Sequence, residues 1–115
     1  YPDGGQRRDF IHVVDVVDVI LWLLDNPKVS GLFNLGTGQA HSWLELGRAI
    51  FAAIGKPERI EFIDLPPEIA AAYQYFTEAE MGRLRAAGYD SPFTPLEAGV
   101  ADYVQRYLLA ADPYR

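Results

Sequence analysis

Two short stretches carry the residues most able to do chemistry. One is Arg7-Arg8-Asp9-Phe10, which leads into an apolar run, and the other is Gly36-Thr37-Gly38, which follows Leu32-Phe33-Asn34-Leu35. An arginine at the mouth of a strand can present its guanidinium fork to a phosphate bidentately. The plainer alternative is a surface arginine paired with Asp9, and composition alone favours it, because charge runs are usually solvated faces. A glycine-rich turn between strand and helix can cradle a dinucleotide's pyrophosphate. That requires glycine at three places and an acidic residue about 20 positions further on. Here His41 occupies the third glycine position, and Asp64, the nearest acid at a predicted strand end, lies well beyond that distance. The stretch therefore reads as a tight strand-to-helix turn, and no residue is assigned to cofactor binding.

The remaining candidates are weaker. Tyr73 and Tyr75 alternate onto one face of an extended segment. Either they pack in the core with hydrogen-bonded hydroxyls, or one hydroxyl faces a ligand phosphate. Asp15 and Asp18 stand three apart on a predicted helix and resemble a carboxylate pair, but with no catalytic partner a cap and a solvated edge are favoured. His12 and His41 lie far from other ligands at metal-binding spacing, so both read as structural and no metal site is expected. Nothing forms a nucleophile–base–acid set. Taken alone, the residues describe an α/β piece with a possible anion site.

The elements that must position these residues follow from periodicity and caps. Phe10–Val14 is β-rich and reads as a short strand. A helix from Asp15 to Asn26 follows, with Asp15 as its N-cap and Pro27 stopping it. Its valines, leucines, Ile20 and Trp22 cover nearly the whole circumference. Such a helix must be covered on several sides, so a partner domain is expected against it. Leu32–Leu35 reads as a strand. Ser42 and Glu45 form a capping box opening a helix to about Ile54, which Gly55 and Pro57 close. Trp43, Leu46, Ile50 and Ile54 form the apolar stripe of that helix. Arg59–Asp64 alternates as a strand. Thr77 with Glu80 opens a helix ending at Gly88, and Thr94-Pro95-Leu96-Glu97 opens the last one, with proline at the first helical position.

Bulk properties exclude several classes. A formal net charge of -6 argues against general nucleic-acid binding, which needs a basic face. With no cysteine, disulfides and thiolate metal sites are impossible. The apolar run from Val19 to Leu24 is far too short to span a bilayer, which takes about 20 residues. No membrane partner is expected, and a cytoplasmic location is the default. Tyr1 to Gly5 reads as loop rather than as a targeting segment.

The stretches RRDFIHVVDVVDVILWLL, GLFNLGTGQAHSWLELGRAI and YQYFTEAEMGRLRAAGYDSPFTPLEAGVADYV together resemble extended short-chain dehydrogenase/reductase nucleotide-sugar epimerases. The R-D-F-I-x-V-x-D-V segment and the N-L-G-x-G turn are general to that superfamily. The stretch from Tyr73 to Phe93 is similar to the branch that epimerises ADP-heptose. This resemblance implies an α/β fold, the C-terminal portion of an enzyme built from a Rossmann-like parallel sheet and a small substrate-binding domain. Residues 1–115 would be that single C-terminal segment, with roughly 12–38 packed back on an N-terminal NADP-binding domain. It also implies that Arg8 grips the diphosphate of an ADP-sugar, that Tyr73 contacts the same substrate, and that the enzyme is a homo-oligomer. The parent would invert C6″ of ADP-heptose by transient oxidation and reduction with NADP, in lipopolysaccharide core synthesis. The family's cofactor turn and Tyr-x-x-x-Lys pair do not occur in the chain, where no tyrosine has a lysine four residues later. No catalytic residue is assigned, and the chain alone is expected to be inactive. The alternatives are an epimerase or dehydratase of another nucleotide sugar, and a non-catalytic nucleotide-sugar-binding module.

Overall fold

The computed structural model describes residues 4–112. Tyr1–Asp3, part of the expected opening loop, lie outside the described residues. In chain order the elements are β1 (Arg7–Arg8), α1 (Val13–Asp25), β2 (His41–Ser42), α2 (Trp43–Ile54), α3 (Pro67–Ala70), α4 (Gly82–Ala86) and α5 (Leu96–Tyr103), which continues as a π-helical turn, Val104–Leu108.

Sequence and structure agree best where caps are local. The Ser42 hydroxyl accepts from the Glu45 N–H at 3.1 Å, and the Glu45 carboxylate accepts from the Ser42 N–H at 2.6 Å. This reciprocal pair satisfies two donors at the start of α2 that no helical carbonyl reaches. At the other end Gly55 adopts φ 70, the left-handed conformation that favours glycine, and ends the helix as expected. Held in this way, α2 packs against α5 and the π-helical turn.

Helix α1 starts two residues before Asp15, and Asp15 does not cap it. His12 occupies the N-cap position, with no side-chain cap bond. Asp15 is instead buried, and its carboxylate accepts from the Thr94 N–H at 2.7 Å and the Thr94 hydroxyl at 2.9 Å. An acid in the first helical turn can serve its own helix, but here a donor brought by the distant 94 segment takes both oxygens. Thr94 is thereby held two residues ahead of α5, whose N-cap position is filled by Pro95 rather than by a hydroxyl residue.

The three expected strands do not form. Residues 10–12 are irregular and 13–14 begin α1, while Leu32–Leu35 and Arg59–Asp64 carry no strand structure. A strand exists only through its ladder, and neither the apolar Leu32–Leu35 stretch nor the alternating Arg59–Asp64 stretch meets a partner among the described residues. The strands that do form are two residues each. Arg7 pairs with Ser42 and Arg8 with His41 in antiparallel register. Arg7 also bridges Phe76 in parallel, with its N–H donating to the Tyr75 carbonyl at 2.7 Å and its carbonyl accepting from the Thr77 N–H at 3.1 Å. Thr77 therefore joins this junction rather than opening a helix. Its hydroxyl bonds the Gln74 amide oxygen, and α4 begins only at Gly82.

The core gathers Val19 of α1, Met81, Leu84 of α4 and Tyr89, flanked by Trp22, Leu23, Phe33, Leu35, Ala79 and Phe93. Trp22 meets Tyr89 edge-on at 5.5 Å. This uses only one face of α1. On the other, Val13, Val17, Ile20, Leu21 and Leu24 are 46–71% exposed. No helix among the described residues is long and apolar enough to cross a membrane.

Candidate functional site

The junction of β1, β2 and the 75–77 segment brings the candidate residues together, and Asp9 is its hub. Its Oδ1 accepts from the Thr37 N–H at 2.9 Å and the Thr37 hydroxyl at 2.5 Å, and its Oδ2 from the N–H groups of Gly38 at 2.9 Å and Ala79 at 3.1 Å. Burial pushes this carboxyl up, but the Thr37 hydroxyl and the three N–H groups outweigh that and hold it below the ordinary carboxylate range. The glycine-rich turn does bind an anion, and the anion is Asp9.

Glycine at position 36 follows from this clamp. A Cβ there would lie 2.5 Å from the Asp9 Oδ2 and 2.6 Å from the Ala79 Cβ, both closer than side-chain carbons tolerate. The R-D-F and N-L-G-x-G motifs are two halves of one contact: one supplies the carboxylate, the other the N–H groups and the space to approach it.

Asp9 is therefore not the partner of Arg8. The Arg8 guanidinium lies over the Tyr73 ring, 5.1 Å from its centroid. Its Nη1 donates to the Arg7 carbonyl at 2.8 Å, and its Nη2 donates to the Gln74 carbonyl. A guanidinium has five N–H donors, so three are left without a partner among the described residues. Arg7 turns the other way, its Nη2 donating to the Ala40 carbonyl at 2.6 Å. Beside the Arg8–Tyr73 pair opens a cleft of about 300 Å³ lined by Gly4, Gln6, Trp43, Leu44, Asp64 and Tyr73 among others. Tyr73 borders this cleft and Tyr75 does not, so the two tyrosines part company.

The histidines also separate. The largely buried His12 has its Nε2 2.9 Å from Asp102 Oδ2, and Arg106 Nε lies 3.3 Å from the other oxygen of Asp102. The carboxylate partner missing from its sequence neighbourhood is supplied by α5. His41 Nδ1 lies 3.5 Å from Glu45, without hydrogen-bond geometry. No group of three or more His, Asp or Glu that could hold a metal occurs among the described residues.

Comparison with known proteins decides the kinship. Residues 1–36 match the NAD dependent epimerase/dehydratase family. Over 99% of its length the chain is 55% identical to a Nitratidesulfovibrio vulgaris protein named ADP-L-glycero-D-manno-heptose-6-epimerase. It is 42% identical to a protein of that name from Fusobacterium nucleatum. The chain is homologous to these epimerases. It spans 35% and 36% of their lengths. Among solved structures it is similar to an NAD-dependent NDP-hexosamine 5,6-dehydratase of tunicamycin biosynthesis, with TM-score 0.50 and 27% identity, covering 85% of this chain and 31% of that one. The family and this neighbour support the α/β extended short-chain dehydrogenase/reductase fold, to which the chain contributes a mixed helix and strand segment.

A nicotinamide cofactor is implied by the family, and the glycine-rich turn does not fit one. The Thr37 and Gly38 N–H groups that a pyrophosphate would need are already bonded to a carboxylate kept charged at neutral pH, which would repel phosphate oxygens. What sequence reasoning missed is the role of Asp9, which looked like a mere counter-ion for Arg8. The available signal was the turn itself, since its inward N–H groups require an acceptor and Asp9 is the acid of the other family motif.

Proposed function

We propose that the chain is the substrate-binding part of a nucleotide-sugar epimerase whose substrate is an ADP-heptose, with Arg8 and Tyr73 holding the diphosphate. The observation that carries this is the Arg8 guanidinium, with N–H donors to spare, lying over the ring of Tyr73, which itself borders an open cleft. Two backbone carbonyls and an aromatic face fix the fork before any ligand arrives, so little side-chain freedom is lost on binding. Gly4 and Gln6 line the same cleft, which supports a place for the segment before Arg8 beside the ligand. The named relatives supply the substrate class. An epimerase must release and recapture the sugar's reacting centre. A firm grip on the unreacting diphosphate keeps the substrate bound while that centre turns over.

The parent is proposed to use NADP seated outside this chain, to work in the cytoplasm as a homo-oligomer, and to invert C6″ of ADP-heptose for lipopolysaccharide core synthesis. Residues 12–38 are proposed to pack against the remainder of the parent, because the exposed face of α1 presents Val13, Val17, Ile20, Leu21 and Leu24 in one apolar row. The full-length protein is expected to turn over ADP-heptose and to reject UDP-, GDP- and dTDP-sugars. Turnover of one of these in preference to ADP-heptose would overturn the substrate assignment.

A further inference from the structure

We infer that Asp9 is the positioning residue of the Arg8–Tyr73 clamp, holding the guanidinium in register over the ring by tying three chain segments to one carboxylate. This inference rests on the reading of Arg8 and Tyr73 as the diphosphate grip. Arg8 sits on a strand of two residues, too short to fix its own register. Tyr73 and Gln74, against which the guanidinium lies, belong to a stretch with no regular structure until α4. Besides the guanidinium's own bond to the Gln74 carbonyl, two links tie these pieces together. The ladder bonds of Arg7 to Tyr75 and Thr77 are one. Asp9 is the other, because its Oδ2 takes the Ala79 N–H while the same carboxylate anchors in the 36–38 turn. Asp9 does not line the cleft, and neither do its partners Thr37, Gly38 and Ala79, so its effect on ligand is indirect, through the segments that hold Arg8 and Tyr73.

Charge is essential to this role. A carboxylate offers only acceptors, which suits the four donors converging on it. An asparagine would turn an NH₂ toward an N–H that now donates to the carboxylate, setting donor against donor. The 36–38 turn or the 77–79 segment would then have to move, and Arg8 would lose its place over Tyr73.

The test is ADP binding by calorimetry to the full-length parent protein, comparing Asp9→Asn, Arg8→Ala and the double variant. Asp9→Asn is expected to weaken ADP about tenfold, the scale of one charged hydrogen bond. The double variant is expected to bind no more weakly than Arg8→Ala alone, because a residue acting through Arg8 has nothing left to position. Asp15→Asn is the control, since Asp15 makes a comparable clamp on Thr94 remote from the cleft, and it should leave ADP affinity unchanged. Equal weakening by Asp15→Asn would show general loosening and overturn the inference, as would independent, multiplying effects of Asp9→Asn and Arg8→Ala. Normal ADP affinity in Arg8→Ala would instead overturn the grip itself. If Asp9→Asn fails to fold, Thr37→Val serves, since it keeps the Thr37 N–H bond to Asp9 and removes the hydroxyl's, along with that hydroxyl's local bonds to Gln39. A few-fold loss is expected from it, and unchanged affinity would count against the inference.

Discussion

The two ends of the family signature behave in opposite ways. Around Asp9, polar groups from residues 8–9, 36–38 and 74–79 find one another inside the chain, and the junction is complete as it stands. A few residues later, α1 buries Val19 and Asp15 on one side while Val17, Ile20, Leu21 and Leu24 remain open on the other. The first region is built from directional bonds that need no outside partner. The second is built from non-directional apolar area that means little until something covers it. The proposed ligand grip lies in the self-sufficient region, so its geometry depends on neighbouring segments rather than on the cover of α1.

The largest test of this contrast sets one leucine against another. Leu84 is 1% exposed and Leu24 71%. In the full-length protein Leu84→Ala is expected to cost about 2–5 kcal/mol, and Leu24→Ala should cost at least about 2 if the rest of the parent covers α1. Chemical denaturation of both variants checks this, and a near-neutral Leu24→Ala would leave that face without its proposed partner.

Next in size is Gly36→Ala, which drives a methyl group into Asp9 and Ala79. Overpacking at a site this tight is expected to cost about 1–3 kcal/mol. The matching change at Gly55 faces open space and should show only the modest strain of its positive φ.

The smallest expected effect is acid sensitivity. Because the folded Asp9 carboxyl is held below its ordinary value, its contribution is fully present above that value. It fades as pH falls through about 4 and below, when the native state must take up the proton. Asp9→Asn should therefore flatten that part of the stability–pH curve, and an unchanged slope between wild type and variant would show that the clamp carries no linked proton.

What the sequence discloses of this fold depends on the distance over which each feature is decided. The Ser42–Glu45 box and the Gly55 stop are settled within one or two turns, and they stand as read. Asp15 failed as a cap because its partner, Thr94, arrives from 79 residues away. His12 looked isolated because Asp102 lies 90 residues on. The apolar stretch at 32–35 and the alternation at 59–64 both suggest strands, yet a ladder needs a neighbour, and none is present among the described residues. Tyr73 and Tyr75 share a spacing that could not say which borders a cleft. The glycine turn already departs from a dinucleotide loop in its third position and its missing acid. Its actual guest, Asp9, was already in view beside Arg8, but nothing in linear order joins residue 9 to residues 36–38.

The central claim is that Arg8, braced over Tyr73, holds the diphosphate of the nucleotide sugar. Calorimetric titration of ADP into the full-length wild type and Arg8→Ala measures it most directly. Loss of roughly 1.5–3 kcal/mol of binding free energy is predicted, the range for hydrogen bonds to charged groups. Equal affinity in the two proteins would contradict the account.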